Sequence, residues 1–324
     1  MYQELNRRQF LIGLAAIAAG TTSCLTSEPE VTRRRPLRQR AFLGINHPLS
    51  SVKQLEQSLG FQFPILGGLY YTFDTVWQRH VQEMAPADNR VLLVCWMPKL
   101  QHRTVALSEV VKGWHDRQID QMLFGMRAFP GRVVCRWGHE ANGNAYPWSA
   151  AAAGSRTSPQ DYVAAWQYVV HRERAMPGTS NISWFWCPSA VDLPSSDGRV
   201  YPMEDYWPGE AWVDVIGCDV YNEPGEWRSF DDIVGRPYQR IKTLSDKPFW
   251  IGELGCHEAR PGQRGTKGRW LAAMLASTQF SKLAAVCYFD YDARSAGRAD
   301  WRLNSSRATF DAFKAELRAG PMRE

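Results

Sequence analysis

From residue 41 onward this chain alternates short apolar runs with longer segments in which apolar residues recur at helical spacing. The clearest runs are Phe42 to Asn46, Val91 to Trp96, Val133 to Trp137, Ile182 to Cys187, Val213 to Val220, Pro248 to Gly252 and Leu283 to Phe289, with a weaker eighth around Phe63 to Leu66. Near-continuous apolar runs of this length are what strands buried on both faces look like. Between them lie amphipathic stretches near 50–59, 74–84, 107–127, 159–175, 229–243, 264–279 and 307–317, and a short helical turn is expected at Met203 to Trp207. Ser158-Pro159-Gln160-Asp161 is a strong helix start, with proline in the first turn and an acid soon after. Eight strands alternating with about eight helices predict a closed parallel barrel of the (β/α)8 TIM type, one domain over residues 41–324.

The first 40 residues follow different rules. Asn6-Arg7-Arg8-Gln9-Phe10-Leu11-Ile12 precedes an Ala/Gly-rich apolar stretch that ends near Gly20, too short to span a bilayer. Paired arginines ahead of such a stretch resemble a twin-arginine export signal, with Asn6 where Ser or Thr is usual. Two processing sites remain open: Ala16-Ile17-Ala18, or a lipoprotein-like box at Thr21-Thr22-Ser23-Cys24 that would anchor the chain to a membrane through Cys24. Residues 1–24 are therefore expected to be the signal. Residues 25–40, with Arg33, Arg34, Arg35, Arg38 and Arg40, read as an Arg-rich, solvated linker that contributes much of the net charge of +5. A periplasmic, extracellular or envelope-anchored monomer is expected.

An exported protein with seven cysteines invites disulfides. Here Cys95, Cys135, Cys187, Cys218, Cys256 and Cys287 each fall in or beside a different apolar run, so each reads as a small buried residue. None has the Cys-x-x-Cys spacing of a zinc site.

In a parallel barrel the reacting groups sit at the C-terminal ends of the strands. Two glutamates are in that position: Glu140, after Arg136-Trp137-Gly138-His139, and Glu253, which closes Phe249-Trp250-Ile251-Gly252. An isolated glutamate is ordinarily a solvated surface group. These two are flanked instead by Arg136, His139, Asn142, Tyr146 and Trp148 on one side and by an apolar strand on the other. A carboxyl pair of this kind suits glycosidic bond cleavage, one group ionised to attack and one protonated to release the leaving oxygen. Arg136 and Tyr221 are candidates to keep Glu253 ionised.

Rival chemistries fit less well. His139-Glu140 lacks the second histidine of a zinc-protease helix, Gly143 standing in its place, and the glycines around it oppose a helix. There is no Gly-x-Ser-x-Gly elbow and no dinucleotide fingerprint after the first strand. No metal, cofactor or nucleic-acid partner is expected. Aromatics make up 12% of the chain, and many fall at strand ends or in the loops that follow: Tyr70, Tyr71, Trp96, Tyr146, Trp148, Trp186, Tyr221, Trp227, Tyr288 and Trp301. Flat rings stack on sugar faces, which suits a polysaccharide substrate. Trp137 and Trp184 are assigned to packing, Trp148 and Tyr221 to the site.

These residues carry a resemblance. Arg136-Trp137-Gly138-His139-Glu140-Ala141-Asn142-Gly143-Asn144-Ala145-Tyr146-Pro147-Trp148 is similar to the acid/base loop of glycoside hydrolase family 26, a group of retaining barrel enzymes that includes β-mannanases, some β-1,3/1,4-glucanases and xylanases. Val213 to Asn222 is similar to the family's sixth strand, and Ile251-Gly252-Glu253-Leu254-Gly255 to its nucleophile strand, in the same order over residues 41–318. The resemblance implies Glu140 as acid/base, Glu253 as nucleophile, His139 and Asn142 as hydrogen-bond partners that shape the site, Tyr221 as a contact to the nucleophile, and Trp301 as a residue lining the sugar site. Trp96 is carried with the substrate contacts. The chain departs from the pattern at Ala145, where the family commonly has Trp, and at Trp96-Met97-Pro98, where an acid usually separates Trp from Pro.

The expected function is that of an exported retaining endo-β-glycosidase acting on a β-linked polysaccharide, β-1,4-mannan first. The alternatives are a β-1,3/1,4-glucanase of the same mechanism and a non-catalytic carbohydrate-binding barrel of the cell envelope.

Overall fold

The computed structural model describes residues 41–320 apart from 78–80, 82–89, 179, 226 and 261–265. The expected export signal, the Arg-rich linker, Cys24 and most of the stretch at 74–84 therefore lie outside the described residues. Eight parallel strands close into a barrel in chain order: β1 (Phe42–Asn46), β2 (Ile65–Thr72), β3 (Val91–Met97), β4 (Arg132–Trp137), β5 (Ile182–Trp186), β6 (Val215–Asn222), β7 (Phe249–Cys256) and β8 (Leu283–Phe289), with β1 pairing β8. Around it run α1 (Leu49–Leu59), α2 (Leu107–Val111), α3 (Asp116–Ala128), α4 (Pro159–Ala175), α5 (Phe230–Lys242), α6 (Lys267–Ala276) and α7 (Arg307–Ala319). The fold is the expected (β/α)8 barrel.

The core has two compartments, as the apolar runs require. One residue set, including Ile65, Leu93, Val134, Phe185, Val215, Trp250 and Cys287, fills the barrel lumen. The larger set joins the outer strand faces to the helices. The six described cysteines are buried and unbridged. α4 starts as its sequence predicts: Ser158 Oγ accepts from the Asp161 N–H while Asp161 accepts from the Ser158 N–H, a capping box with Pro159 in the first turn. The expected helix at 107–127 is broken in two, because Gly113 takes φ of 79° and ends the first piece.

Four strands, β2, β3, β6 and β7, extend past their expected ends, and the two that extend furthest, β2 and β7, carry a bulge. In β2 the pairing with β3 shifts between Leu66 and Leu69, where Gly68 has φ of 85°. In β7 the pairing with β6 runs Cys218 to Ile251 and then Asp219 to Glu253, leaving Gly252 without a partner. An extra residue reverses which face the rest of the strand presents. Strand β7 thus places Trp250 in the lumen and Ile251 outside, then turns both Gly252 and Glu253 inward and returns Leu254 to the outer core.

Candidate active site

The bulge in β7 delivers Glu253 into a cage of donors at the C-terminal end of the barrel. Its Oε1 accepts from Arg136 Nη2 at 2.6 Å and from the Tyr70 hydroxyl at 2.9 Å; its Oε2 accepts from the Tyr221 hydroxyl at 2.5 Å. Arg136, on β4, is buried, and its Nη1 is shared with both Asp219 oxygens at 2.6 and 2.7 Å. Gly252 is what lets these groups meet, since a Cβ there would lie 2.7 Å from Asp219 Oδ1, 2.8 Å from Arg136 Nη1 and 2.9 Å from Cys187 Sγ.

Burial alone would raise the Glu253 carboxyl, but the Arg136 charge, then His139 and the Arg136 and Tyr221 hydrogen bonds, overcome it and hold the group down at about 2. Burial and the Glu253 charge push the Tyr70 hydroxyl well up, and the same two causes push up Tyr221, so both stay protonated and donate. One guanidinium serves two carboxylates here. Glu253 has the two tyrosines as well, and burial pushes Asp219 well above the usual range.

Glu140 stands in a different setting. It follows β4 in a turn where Gly138 has φ of 54° and Glu140 itself has φ of 52°, the one positive value among the described residues other than glycine. A left-handed glutamate costs of order 1–3 kcal/mol and needs fixing by its surroundings. Two backbone bonds do this: the Glu140 N–H donates to the Cys187 carbonyl, and its own carbonyl accepts from the Gly143 N–H, both at 2.9 Å. Its carboxyl has no hydrogen-bond partner among the described residues and is half-buried. Burial and then the Glu253 charge raise it to about 7. At neutral pH the mouth thus holds one ionised carboxylate and one carboxyl that keeps its proton much of the time, the division of labour that acid-assisted displacement needs.

The histidine before Glu140 is neutral, burial and the Arg136 charge lowering it to about 3. Its Nδ1 lies 3.0 Å from Cys95 Sγ and its Nε2 3.1 Å from the Tyr146 hydroxyl. Burial keeps the Cys95 thiol protonated, and the neutral ring between the thiol and the Tyr146 hydroxyl donates through one nitrogen and accepts through the other.

A protein-family model for "Glycosyl hydrolase family 26" matches residues 117–246, a span that contains Arg136, Glu140, Asp219 and Tyr221. Endoglucanase H of Acetivibrio thermocellus is 27% identical over 289 residues, 86% of this chain and 30% of that protein. The chain is similar to glycoside hydrolase family 26 over residues 117–246.

Other relatives are similar over less of the sequence or only in fold. The mannan endo-1,4-beta-mannosidase A and B of Caldalkalibacillus mannanilyticus is 27% identical over 177 residues, 51% of this chain and 31% of that protein. An endo-beta-1,4-mannanase structure from Cellulomonas fimi superposes with a TM-score of 0.62 at 18% identity, covering 87% of this chain and 71% of the other. The chain spans less than a third of the length of the two curated relatives.

The barrel brings Glu140, Glu253, His139, Arg136, Tyr146 and Tyr221 to one mouth. It places four other expected substrate contacts behind that surface. Asn142 is fully buried, spanning the gap to the loop after β5 by donating to the Ser189 carbonyl and Asp192 and accepting from the Ser189 N–H. Trp148 is also fully buried, stacked on Tyr146 with centroids 4.5 Å apart and donating to the His139 carbonyl. Trp96 packs against Phe73, and Trp301 packs 5.0 Å from Tyr221, neither with exposed surface. These four have no exposed surface in this conformation. The reason is geometric: a ring near a strand end is drawn inward when the loop above it folds back.

Sequence reasoning passed over three residues. Asp219 looked like part of a strand, although an acid in a buried strand signals a partner. Tyr70 is one aromatic among many in the sequence, and its signal is the Gly67-Gly68 pair inside a strand, which marks the bulge that aims it at Glu253. Arg298 had no sequence signal. Its guanidinium lies 4.4 Å over the Tyr221 ring and 5.6 Å from the Trp301 ring, and it pairs with Glu223 at 2.5 Å.

Proposed function

We propose that this chain is an exported retaining endo-β-glycosidase acting on β-1,4-mannan. The observation that carries the reading is the opposite tuning of two carboxyls at one mouth, Glu253 held at about 2 and Glu140 raised to about 7. Ionised Glu253 attacks the anomeric carbon as Glu140 gives its proton to the departing oxygen. Glu140, now a carboxylate, takes a proton from water, which displaces Glu253 and restores both groups. The donors on Glu253 hold it in one orientation, and Tyr221, bonded to Oε2, leaves Oε1 to Arg136 and Tyr70.

The mannan assignment is supported by two relatives that are named mannan endo-1,4-beta-mannosidases. A β-1,3/1,4-glucan reading is favoured by one observation, the endoglucanase whose similarity covers 86% of this chain. Product sizing after incubation with mannan, glucomannan and mixed-linkage glucan decides between them. Release of oligosaccharides from mannan is expected. Hydrolysis of the mixed-linkage glucan alone would replace the substrate, and a covalent adduct of a fluorinated glycoside on any residue but Glu253 would overturn the mechanism. Export is supported by the paired arginines and the short apolar stretch after them, and sequencing of the mature N-terminus tests it.

A further inference from the structure

Between the ends of β1 and β8, outside the carboxylate cage, three side chains line up. His47 follows the last residue of β1, Ser51 lies in the first turn of α1, and Asp290 follows β8. Ser51 Oγ is 2.9 Å from His47 Nε2, and His47 Nδ1 is 2.7 Å from Asp290 Oδ2. Asp290 is buried and fixed through its other oxygen, which accepts from the Leu303 N–H at 2.5 Å; Ser51 and His47 are half-buried and reachable from solvent. Glycine is required alongside, because a Cβ at Gly68 would lie 2.7 Å from the His47 carbonyl oxygen and 3.0 Å from its nitrogen. The backbone carrying His47 is thereby clamped against β2.

A hydroxyl, an imidazole and a buried carboxylate in series at these distances are the parts of an activated serine. With Asp290 accepting from Nδ1–H, the lone pair on Nε2 faces the Ser51 hydroxyl. That hydroxyl has a second acceptor, the Pro48 carbonyl at 3.2 Å, which is the longer of its two contacts. Ser51 serves none of the groups around Glu140 and Glu253, and capping does not explain it: the N-cap of α1 is Pro48, which offers no side-chain cap.

We propose that Ser51, His47 and Asp290 form a second hydrolytic site that cleaves short carboxylic esters, its substrate class being an O-acyl group on a saccharide hydroxyl. The saccharide part rests on the proposed function; the ester chemistry does not. Ser51 Oγ bonds to the acyl carbon while its proton passes to His47 Nε2. The carbon–oxygen bond to the saccharide breaks, and that oxygen leaves with the proton. Water then gives a proton to Nε2 and its hydroxide to the acyl carbon, which releases the carboxylic acid and returns the proton to Ser51. Asp290 acts through His47 as a positioning residue.

The test uses the whole protein and p-nitrophenyl acetate, which carries no sugar, so its outcome is independent of the glycosidase reading. Ester turnover is expected to fall by about 100-fold or more in Ser51→Ala, with circular dichroism and melting temperature unchanged. Asp290→Asn is expected to lower kcat while leaving KM in place. A fluorophosphonate is expected to add its mass to the peptide containing Ser51 in the wild-type protein, a readout that does not depend on any variant folding. Turnover equal in wild type and Ser51→Ala, or labelling confined to other residues, overturns the proposal.

Discussion

The end of β7 and the turn after β4 each present a glutamate to the same barrel mouth, and they hold it in opposite ways. At β7 the carboxylate is gripped by a guanidinium and two phenols. After β4 the carboxyl has no partner among the described residues, and what is held is the backbone, in a left-handed conformation tied down at both ends. The contrast shows that role is set by surroundings: donors aimed at a carboxylate stabilise its charge, whereas burial beside another carboxylate favours the proton.

The sharpest way to break the contrast is to remove either carboxyl. Glu253→Ala should lower glycan hydrolysis by about 10,000-fold or more, since no other group at the mouth can take over as nucleophile. Glu140→Gln should cost about 100- to 10,000-fold on natural substrates and much less on aryl glycosides, whose leaving groups need little protonation. If both variants lost activity equally on aryl glycosides, the two residues would not have distinct roles.

Next in size is Arg136→Met, which leaves Glu253 and Asp219 together without their cation. Loss of one partner from a buried ionic cluster costs about 3–5 kcal/mol. The deficit has a pH signature. With Arg136 present the Glu253 carboxyl is depressed, so its contribution is present above the ordinary glutamate value and is lost as pH falls towards about 2. Without the cation both carboxyls are raised, and urea unfolding should find the variant closest to wild type below about pH 4, where carboxyls are protonated in the unfolded chain too, and furthest from it at neutral pH. The acid limb of kcat/KM should move upward at the same time.

A smaller effect separates the two glutamates without harming either. Activity needs Glu253 ionised and Glu140 protonated, so kcat/KM should hold from the acid side and fall as pH rises through about 7. In Glu140→Gln the residual activity on an activated aryl glycoside should lose that basic limb. A limb that persists belongs to another group.

How far this contrast was legible in the sequence follows from what fixes each part. The eight runs and their order were visible because burial on both faces leaves a continuous apolar mark, and Ser158 to Asp161 because a capping box is local. Glu140 and Glu253 were visible because strand ends are where a barrel is open. The inward turn of Glu253 was not, since strict alternation from Trp250 predicts the opposite face and the bulge depends on its pairing with β6. Nor was the burial of Trp148 and Asn142, which is decided by loops folding over them from distant parts of the chain.

The mildest change tests the bulge in β2. Starting from Ile65 in the lumen, strict alternation would put Leu69 and Tyr71 inside; the extra residue at Gly67-Gly68 instead sends both outward and brings Tyr70 to Glu253 Oε1 at 2.9 Å. A hydrogen bond to a charged group is worth about 1.5–3 kcal/mol. Tyr70 is 36% exposed, so water can take the place of its hydroxyl and the lower end applies. Tyr70→Phe should therefore reduce kcat/KM by about 10-fold and raise the acid limb, because Glu253 loses one of three donors. Tyr221→Phe, whose hydroxyl is the donor at Oε2, should shift the limb in the same direction. If Tyr70→Phe lowered activity while the acid limb stayed in place, its hydroxyl would be acting on the sugar rather than on the carboxylate, and the grip on Glu253 would reduce to Arg136 and Tyr221.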